Sequence, residues 1–524
     1  MAERPVARTA GLVMVLILLS RLLGFIRERS IAIVFGSNWQ TDVFRQAFNI
    51  PDLMYFILVA GGLNAAFIPT FTSYLARDEE EDGWRMAWTF FTLGFIALVL
   101  MTALGVIFSP SLSYIVGYAY EGETRRLLIK LMRIMFPAVF FTALAGLGMG
   151  VHKSYKSFNA PLWGPILYNA VIILGIYLLG GRYGVVGMGI GTVAGACVNF
   201  LIQMPFFIKK ARPRRYAFQL HHPGIKQILY LMGPAVISSS IAQLNFIVSS
   251  SLASSLAESS VSALRVANTL VQLPLGVFGM GVSMVILPTL AGLKAKGEID
   301  DFREMFSQGI RFVLTLTIPA AVGLAVLRVP LVRLLFEGGA FTSADTLMTA
   351  QAVLFYAPGL ISQAVIQVLV QVYYSLQDTK SLVKVSLNAI LVNATLSLAF
   401  LKFTPLAHGG LALASSLTSI INLLNYLLRL RKHLGRIDAG RMLRCTIRSL
   451  IASAVMGFAV WGAATVGASL FGTSTLPGRV TEVAIGVGTG GLVYLIMIFV
   501  LRMEETTFLY QVFRRNAKST SEAK

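Results

Sequence analysis

The chain has 524 residues, of which 56% are hydrophobic and only 13% charged, with a mean hydropathy of +0.73. A soluble chain carries about a quarter of its residues as charges, so most of this one is expected to lie in lipid. Disordered, collagen-like and disulfide-rich classes are excluded, Cys197 and Cys445 being the only cysteines and both set in apolar runs. The formal charge of +20 does not imply nucleic acid, because the basic residues stand mostly in short gaps between apolar runs.

A membrane helix needs about 20 mostly apolar residues. About fourteen such runs follow one another, near residues 9–34, 42–76, 86–109, 126–151, 160–180, 184–208 and 226–256, then 261–293, 304–327, 345–375, 381–402, 409–430, 442–470 and 480–502. The first run continues through Arg21 without a small-residue cleavage site, so no cleavable signal is expected. Continuous runs exclude a β-barrel, which shows ten-residue alternating segments. The fold class expected is an all-α integral membrane protein of about 14 transmembrane helices.

Spans 1 and 2 hold Arg21, Arg27, Glu28, Arg29, Asp42, Arg45 and Asp52. Each ionisable group costs about 2.5–3.5 kcal/mol at a helix centre on insertion scales. Snorkelling accounts for Arg29 and Asp42 near an interface but poorly for Arg21, which about a dozen apolar residues precede. Pro51 and Gly61-Gly62 punctuate span 2, and the acidic run Asp78 to Asp82 after it is expected to be a solvated loop. Gly191 and Gly195 in span 6 suit close helix packing. In span 8, Arg265 stands four residues before Thr269 on one helical face, and Pro274, Gly276, Gly279 and Gly281 follow. Spans 1, 2 and 8 are the ones read as carrying basic residues well inside them. Such breaks are tolerated where backbone lines a cavity.

Lys and Arg fill alternate gaps: Arg4 and Arg8, Arg77 and Arg85, Lys153 and Lys156, Lys209 to Arg215, Lys294 and Lys296, Lys380 and Lys384, Arg429 to Arg444, and the tail. The opposite gaps hold little beyond Arg125, Arg126, Arg182, Lys402 and Arg479. Both termini are therefore expected in the cytoplasm.

The sequence also matches itself at an offset of 219 residues: Phe67-Ile68-Pro69-Thr70 falls on Ile286-Leu287-Pro288-Thr289, Tyr155 on Tyr374, and Asn169-Ala170 on Asn388-Ala389. Two six-helix bundles in parallel repeat are expected, at 1–219 and 220–435. Two further helices would occupy 436–503 and a basic cytoplasmic tail 504–524. Transporters of this build place substrate between the halves and rock them. The intramembrane arginines point to a water-filled cavity that receives an anion, since the planar guanidinium fork donates two parallel hydrogen bonds to phosphate. An internal salt-bridge network of Arg21 or Arg27 with Glu28 or Asp52 is the alternative, and the two readings are compatible.

The stretch Ser20-Arg21-Leu22-Leu23-Gly24-Phe25-Ile26-Arg27-Glu28, then Phe35-Gly36 and Thr41-Asp42, resembles the opening of the MurJ (MviN-type) lipid II flippases. Gly233-Pro234-Ala235, Pro274-Leu275-Gly276-Val277-Phe278-Gly279 and Phe336-Glu337-Gly338-Gly339-Ala340-Phe341-Thr342 extend the likeness, as does Tyr374 through Lys380. The resemblance implies a multi-pass flippase of the bacterial inner membrane, carrying a lipid-linked disaccharide pentapeptide outward for peptidoglycan synthesis. It implies substrate contacts by Arg21 and Arg27, with Ser20, Glu28 and Asn169 beside them, and a polyprenyl-tail groove at spans 13 and 14. Where many members have a basic pair and a glutamate in span 2 this chain has Tyr55, Phe56 and Ala60, and where many have an arginine in span 8 it has Thr269. Arg45 and Arg265 are the candidates to supply those charges, and Asp42 completes the candidate substrate-binding set.

The partners expected are the lipid-linked anionic glycan and membrane lipid, handled by a monomer, with no nucleic acid. No cofactor is expected; monovalent-cation coupling is left open, with Asn245 and Asp378 as loose candidates. Competing readings are a flippase for another undecaprenyl-pyrophosphate-linked glycan and a drug or cation exporter, which would want acidic residues in its spans. An integral-membrane enzyme is the reading from another class. His152, His221, His222, His408 and His433 stand near span ends or in loops without metal-ligand spacing, and read as interfacial or solvated. No Walker motif is present to drive transport by ATP.

Overall fold

An unpartnered backbone N–H or C=O within hydrocarbon costs several kcal/mol, so a chain built of apolar runs folds as helices. The computed structural model describes residues 3–60, 63–157, 159–211, 216, 218–376, 378–435 and 438–503. Among the described residues there are twenty α-helices, three π-helical segments and no strand. Eleven of the apolar runs form helices long and apolar enough to cross a membrane. The first, second and seventh runs are helical as well: one 33-residue helix, one broken series and one 31-residue helix. The chain is a multi-pass membrane protein.

Contacts divide it into two compact units, residues 1–262 with 338–342, and residues 263–337 with 343–524. The first contains α1 (Glu3–Phe35), α2 (Trp39–Ala47), α3 (Asn49–Tyr55), α4 (Ile68–Ala76), α5 (Glu80–Ile107) and α6 (Ser109–Val116). It continues with α7 (Gly122–Ser154), α8 (Asn159–Tyr183), α9 (Val185–Leu201), α10 (Met204–Ala211) and α11 (Pro223–Ala253). The second contains α12 (Ser260–Pro274), whose first turn belongs to unit 1, α13 (Gly281–Lys296), α14 (Ile299–Val326), α15 (Arg328–Phe336) and α16 (Ser343–Ser375). After these come α17 (Thr379–Phe403), α18 (His408–Leu434), α19 (Ala439–Phe471) and α20 (Leu476–Val500).

The division at Ser262 lies later than the boundary of the sequence repeat. Helix α11, the first of the expected second copy, packs in unit 1, where Ile225 and Ile228 join Phe67, Trp84 and Phe90 in one apolar cluster. The repeat is a pattern of matching residues, whereas a compact unit is defined by which side chains touch.

Span 2 is interrupted after Pro51, while Gly61-Gly62 lie outside the described residues. Pi-helical turns occupy Phe56–Ala60 and Leu63–Phe67, after α3. Span 8 breaks in the same way at Leu275–Met280, directly after Pro274. The first residues of two of these segments, Phe56 and Leu275, stand 219 positions apart, the offset of the repeat. A proline removes one backbone donor and widens the turn, and π segments collect where helices bend or bind.

Helix ends follow local chemistry. Helix α1 stops at Gly36, whose φ of 73° suits a residue without Cβ. Asn38 then opens α2 through a reciprocal capping box with Thr41. The tightest packing of unit 1 joins α8 to α9, where a Cβ on Gly191 would meet the Gly175 backbone at 2.9 Å and one on Gly195 the Tyr168 carbonyl at 2.8 Å. Small residues let helix backbones approach in membranes, so the glycine stripe serves packing. In unit 2, α14, α16 and α18 share a core in which buried Tyr373 donates its hydroxyl to the Tyr426 carbonyl at 2.7 Å.

Two expectations are corrected here. The acidic run is not all loop: Glu80 to Asp82 form the first turn of α5, where carboxylates complement the helix dipole. Glu80 there accepts the Tyr155 hydroxyl, which itself accepts Trp84 Nε1–H at 2.9 Å. His152, His222 and His408 are buried rather than solvated. His152 stacks on Phe206 at 4.3 Å, His222 caps α11 by accepting the Gly224 N–H at 3.1 Å, and His408 meets the Met348 carbonyl at 2.9 Å. His152 also meets the Gln203 carbonyl at 3.3 Å, so each of the three rings has a backbone partner.

Candidate functional site

Four of the residues singled out from sequence come together in unit 1. Glu28, on α1, is buried at 7% exposure. Its Oε1 accepts Arg27 Nη2–H at 2.9 Å, and its Oε2 accepts Arg45 Nη1–H from α2 at 3.0 Å. Arg27 Nη1–H also donates to Asn169 Oδ1 of α8 at 3.1 Å. Asn169 is held by its own amide, which donates to the Pro165 carbonyl at 2.9 Å, one turn earlier. Thus α1 supplies the charge pair, α2 the second cation and α8 the neutral clamp. The close α8–α9 packing fixes where Asn169 stands.

Both cations of the cluster stand among carboxylates. Asp52 and Tyr168 lie near enough to Arg27 to act on its charge, and Asp42 lies near enough to Arg45 to do the same. Exposure is uneven, however. The Arg27 side chain is 25% exposed, against 9% for Glu28 and 9% for Arg45. Arg45 Nε is buried with no hydrogen-bond partner among the described residues. The salt-bridge alternative raised from the sequence is therefore present for Arg27 and Glu28, while the Arg27 side chain stays a quarter exposed.

The other candidates stand elsewhere. Arg21 is exposed and Ser20 half-buried, one to two turns before Arg27 on α1. Asp42 is buried and its carboxylate accepts the Ser262 N–H at 2.7 Å, while the Ser262 hydroxyl meets Thr41 at 3.2 Å. It thereby satisfies a backbone donor of a helix's first turn. Arg265 belongs to unit 2 and is half-buried; its carbonyl accepts the Thr269 hydroxyl at 3.0 Å, so the two share a face as the spacing predicts. Asp378 caps α17, accepting the Ser381 N–H at 3.0 Å.

Sequence reasoning missed three features. Tyr168 was masked by its attractive neighbour Asn169. Arg311, seven residues inside span 9, is buried on α14 at 6% exposure, so basic residues well inside spans are not confined to spans 1, 2 and 8. Glu337, Arg333, Arg479 and Glu482 form a network in unit 2, with Arg479 Nη2–H on Glu337 Oε1 at 3.0 Å and Arg333 Nη1 3.6 Å from Glu482. These residues lie at span ends, where charge gives no signal.

Among the described residues no group of acidic, His and Cys side chains is arranged to hold a metal ion. A multi-pass helical chain with a paired cationic cluster inside its spans has the build of a membrane transporter. Its fold is shared with solved transporters. An inward-facing multidrug resistance MATE family transporter of the MOP superfamily aligns with a TM-score of 0.70 at 15% identity, covering 82% of this chain and 99% of that one. A structure described as lipid II flippase MurJ in an inward closed conformation aligns with a TM-score of 0.76 at 25% identity, covering 94% and 99%.

The family model described as lipid II flippase MurJ matches residues 31–482. The probable lipid II flippase MurJ of Vibrio cholerae is 31% identical over 433 residues, 80% of this chain and 82% of that protein. The lipid II flippase MurJ of Burkholderia cenocepacia is 30% identical over 428 residues, 79% and 82% respectively. The chain belongs to the lipid II flippase MurJ family.

Proposed function

We propose that this chain moves the lipid-linked peptidoglycan precursor lipid II from the inner to the outer leaflet of the bacterial cytoplasmic membrane. The observation that carries the reading is Arg27 inside a membrane helix, its guanidinium held by Glu28 and Asn169 and its side chain still a quarter exposed. Family membership supports the substrate. Both termini lie in the cytoplasm in this reading, a monomer is the transport unit, and no cofactor takes part.

A diphosphate headgroup cannot enter hydrocarbon unaided, since isolated charges there cost many kcal/mol. Arg27 is held in position to meet it. Its two terminal nitrogens are already oriented, and an incoming phosphate oxygen replaces part of the carboxylate it now holds while Glu28 keeps Arg45. Arg21, one to two turns earlier on the same helix, adds a second guanidinium, and Ser20 offers a hydroxyl. Alternating exposure of the bound headgroup to the two sides then moves it while the polyprenyl tail stays in lipid. A cytoplasm-negative potential favours outward movement of an anion by about 2.3 kcal/mol per charge per 100 mV.

Complementation of a strain depleted of its lipid II flippase tests the reading. The parent chain should rescue growth, and Arg21→Ala, Arg27→Ala and Arg265→Ala should not. A correctly inserted parent that fails to rescue refutes the substrate, and a fully active Arg27→Ala refutes the site. Unchanged flipping in vesicles after the potential is collapsed refutes the driving force.

A further inference from the structure

Away from the Arg27 cluster, unit 1 has a crevice of about 300 Å³ among α5, α7, α9 and α10. Trp88 and Phe95 of α5, Leu144 of α7, Phe200 of α9, and Met204 and Phe207 of α10 form its walls. We infer that this crevice is a binding site for an anionic glycerophospholipid, one acyl chain lying in it and the headgroup resting against Arg85, Lys209 and Lys210.

The apolar walls exclude a sugar or a free anion, since neither offers apolar area to fill them. Trp88 packs against Phe207 and against Tyr216 at ring separations of 5.9 and 5.5 Å, and the Tyr216 hydroxyl meets Thr92 Oγ1 of the wall at 3.1 Å. Trp and Tyr collect at the headgroup level of a bilayer, which places this end of the crevice at the interface. The cations begin there. Arg85 is exposed one helical turn before Trp88, and Lys209 is exposed two residues after Phe207. Lys210 holds its ammonium 4.4 Å from the Tyr155 ring centre, while Arg85 meets only the half-exposed Asp82 at 3.8 Å among the described residues. Positive charges lying just beyond an aromatic belt attract anionic headgroups by about 1 kcal/mol each.

The occupant is a resident lipid rather than the transported one. Helices α1, α2 and α8 build the anion cluster, and none of them lines the crevice. A lipid held by α5, α7 and α10 with its headgroup against these cations stays in one leaflet.

Native mass spectrometry of the full-length chain in detergent tests this, with phosphatidylglycerol and phosphatidylcholine of identical acyl chains as probes. Phosphatidylglycerol should bind the tighter. The exposed pair Arg85→Gln with Lys209→Gln should cost it about fivefold per removed charge and leave phosphatidylcholine unchanged. Leu144→Trp, which fills the crevice, should remove the retained lipid. Equal affinity for the two lipids, or an undiminished preference in the Arg85→Gln/Lys209→Gln protein, overturns the proposal, and so does full retention by folded Leu144→Trp. A polyprenyl diphosphate displacing phosphatidylglycerol at lower concentration than phosphatidylglycerol itself also overturns it, by making the crevice a site for the carried lipid. Since this readout is binding alone, it stands or falls independently of complementation.

Discussion

Glu28→Gln is the most informative single change, because one carboxylate holds two cations. Arg45 is 9% exposed and its only ion pair among the described residues is with Glu28 at 3.0 Å. Gln keeps the shape and one acceptor but removes the charge. Breaking a buried pair on one side leaves the other charge uncompensated, at about 3–5 kcal/mol. Arg27 suffers less, being 25% exposed and near Asp52. For a body the size of unit 1, each kcal/mol moves Tm by about 2 °C, so the variant should melt about 6–10 °C below the parent in detergent. Replacing both partners, Glu28→Met with Arg45→Met, removes the stranded charge and should recover most of that loss. Flipping should remain impaired in the double variant, since Arg27 loses the carboxylate that orients it. A Tm for Glu28→Gln within 2 °C of the parent, or a double variant no more stable than the single, refutes the view of Glu28 as the bridge.

Three further outcomes are expected. Asp42→Ala strands the Ser262 N–H and should cost about 1–3 kcal/mol, read as a lower Tm, with flipping per folded molecule unchanged. Gly191→Leu drives a side chain into the Gly175 backbone, so folded yield in membranes should fall severalfold, whereas Gly181→Ala, which meets nothing within 4 Å, should be silent. Arg479→Ala removes hydrogen bonds to the Thr473 carbonyl and to Glu337 and should lower Tm by an amount matching about 1.5–3 kcal/mol.

The spans, the basic gaps and the proline breaks were legible in the sequence because each expresses a local rule: length against bilayer thickness, charge against translocation, proline against the helix bond. Arg27, Glu28 and Asn169 were also legible as candidates, the first two by their cost in lipid and the third through the family likeness. The structure added the arrangement. That Glu28 joins Arg27 to Arg45 across 17 residues, that Asn169 closes on Arg27 across 142, and that Asp42 instead serves a backbone amide 220 positions away depend on helix rotation and packing. The buried Arg311 and the histidines at helix ends were misjudged for the same reason. Hydropathy along a chain reports how far a segment sits from water, but which face of a helix meets which neighbour is set by side-chain contacts distant in sequence, and those exist only once the chain has folded.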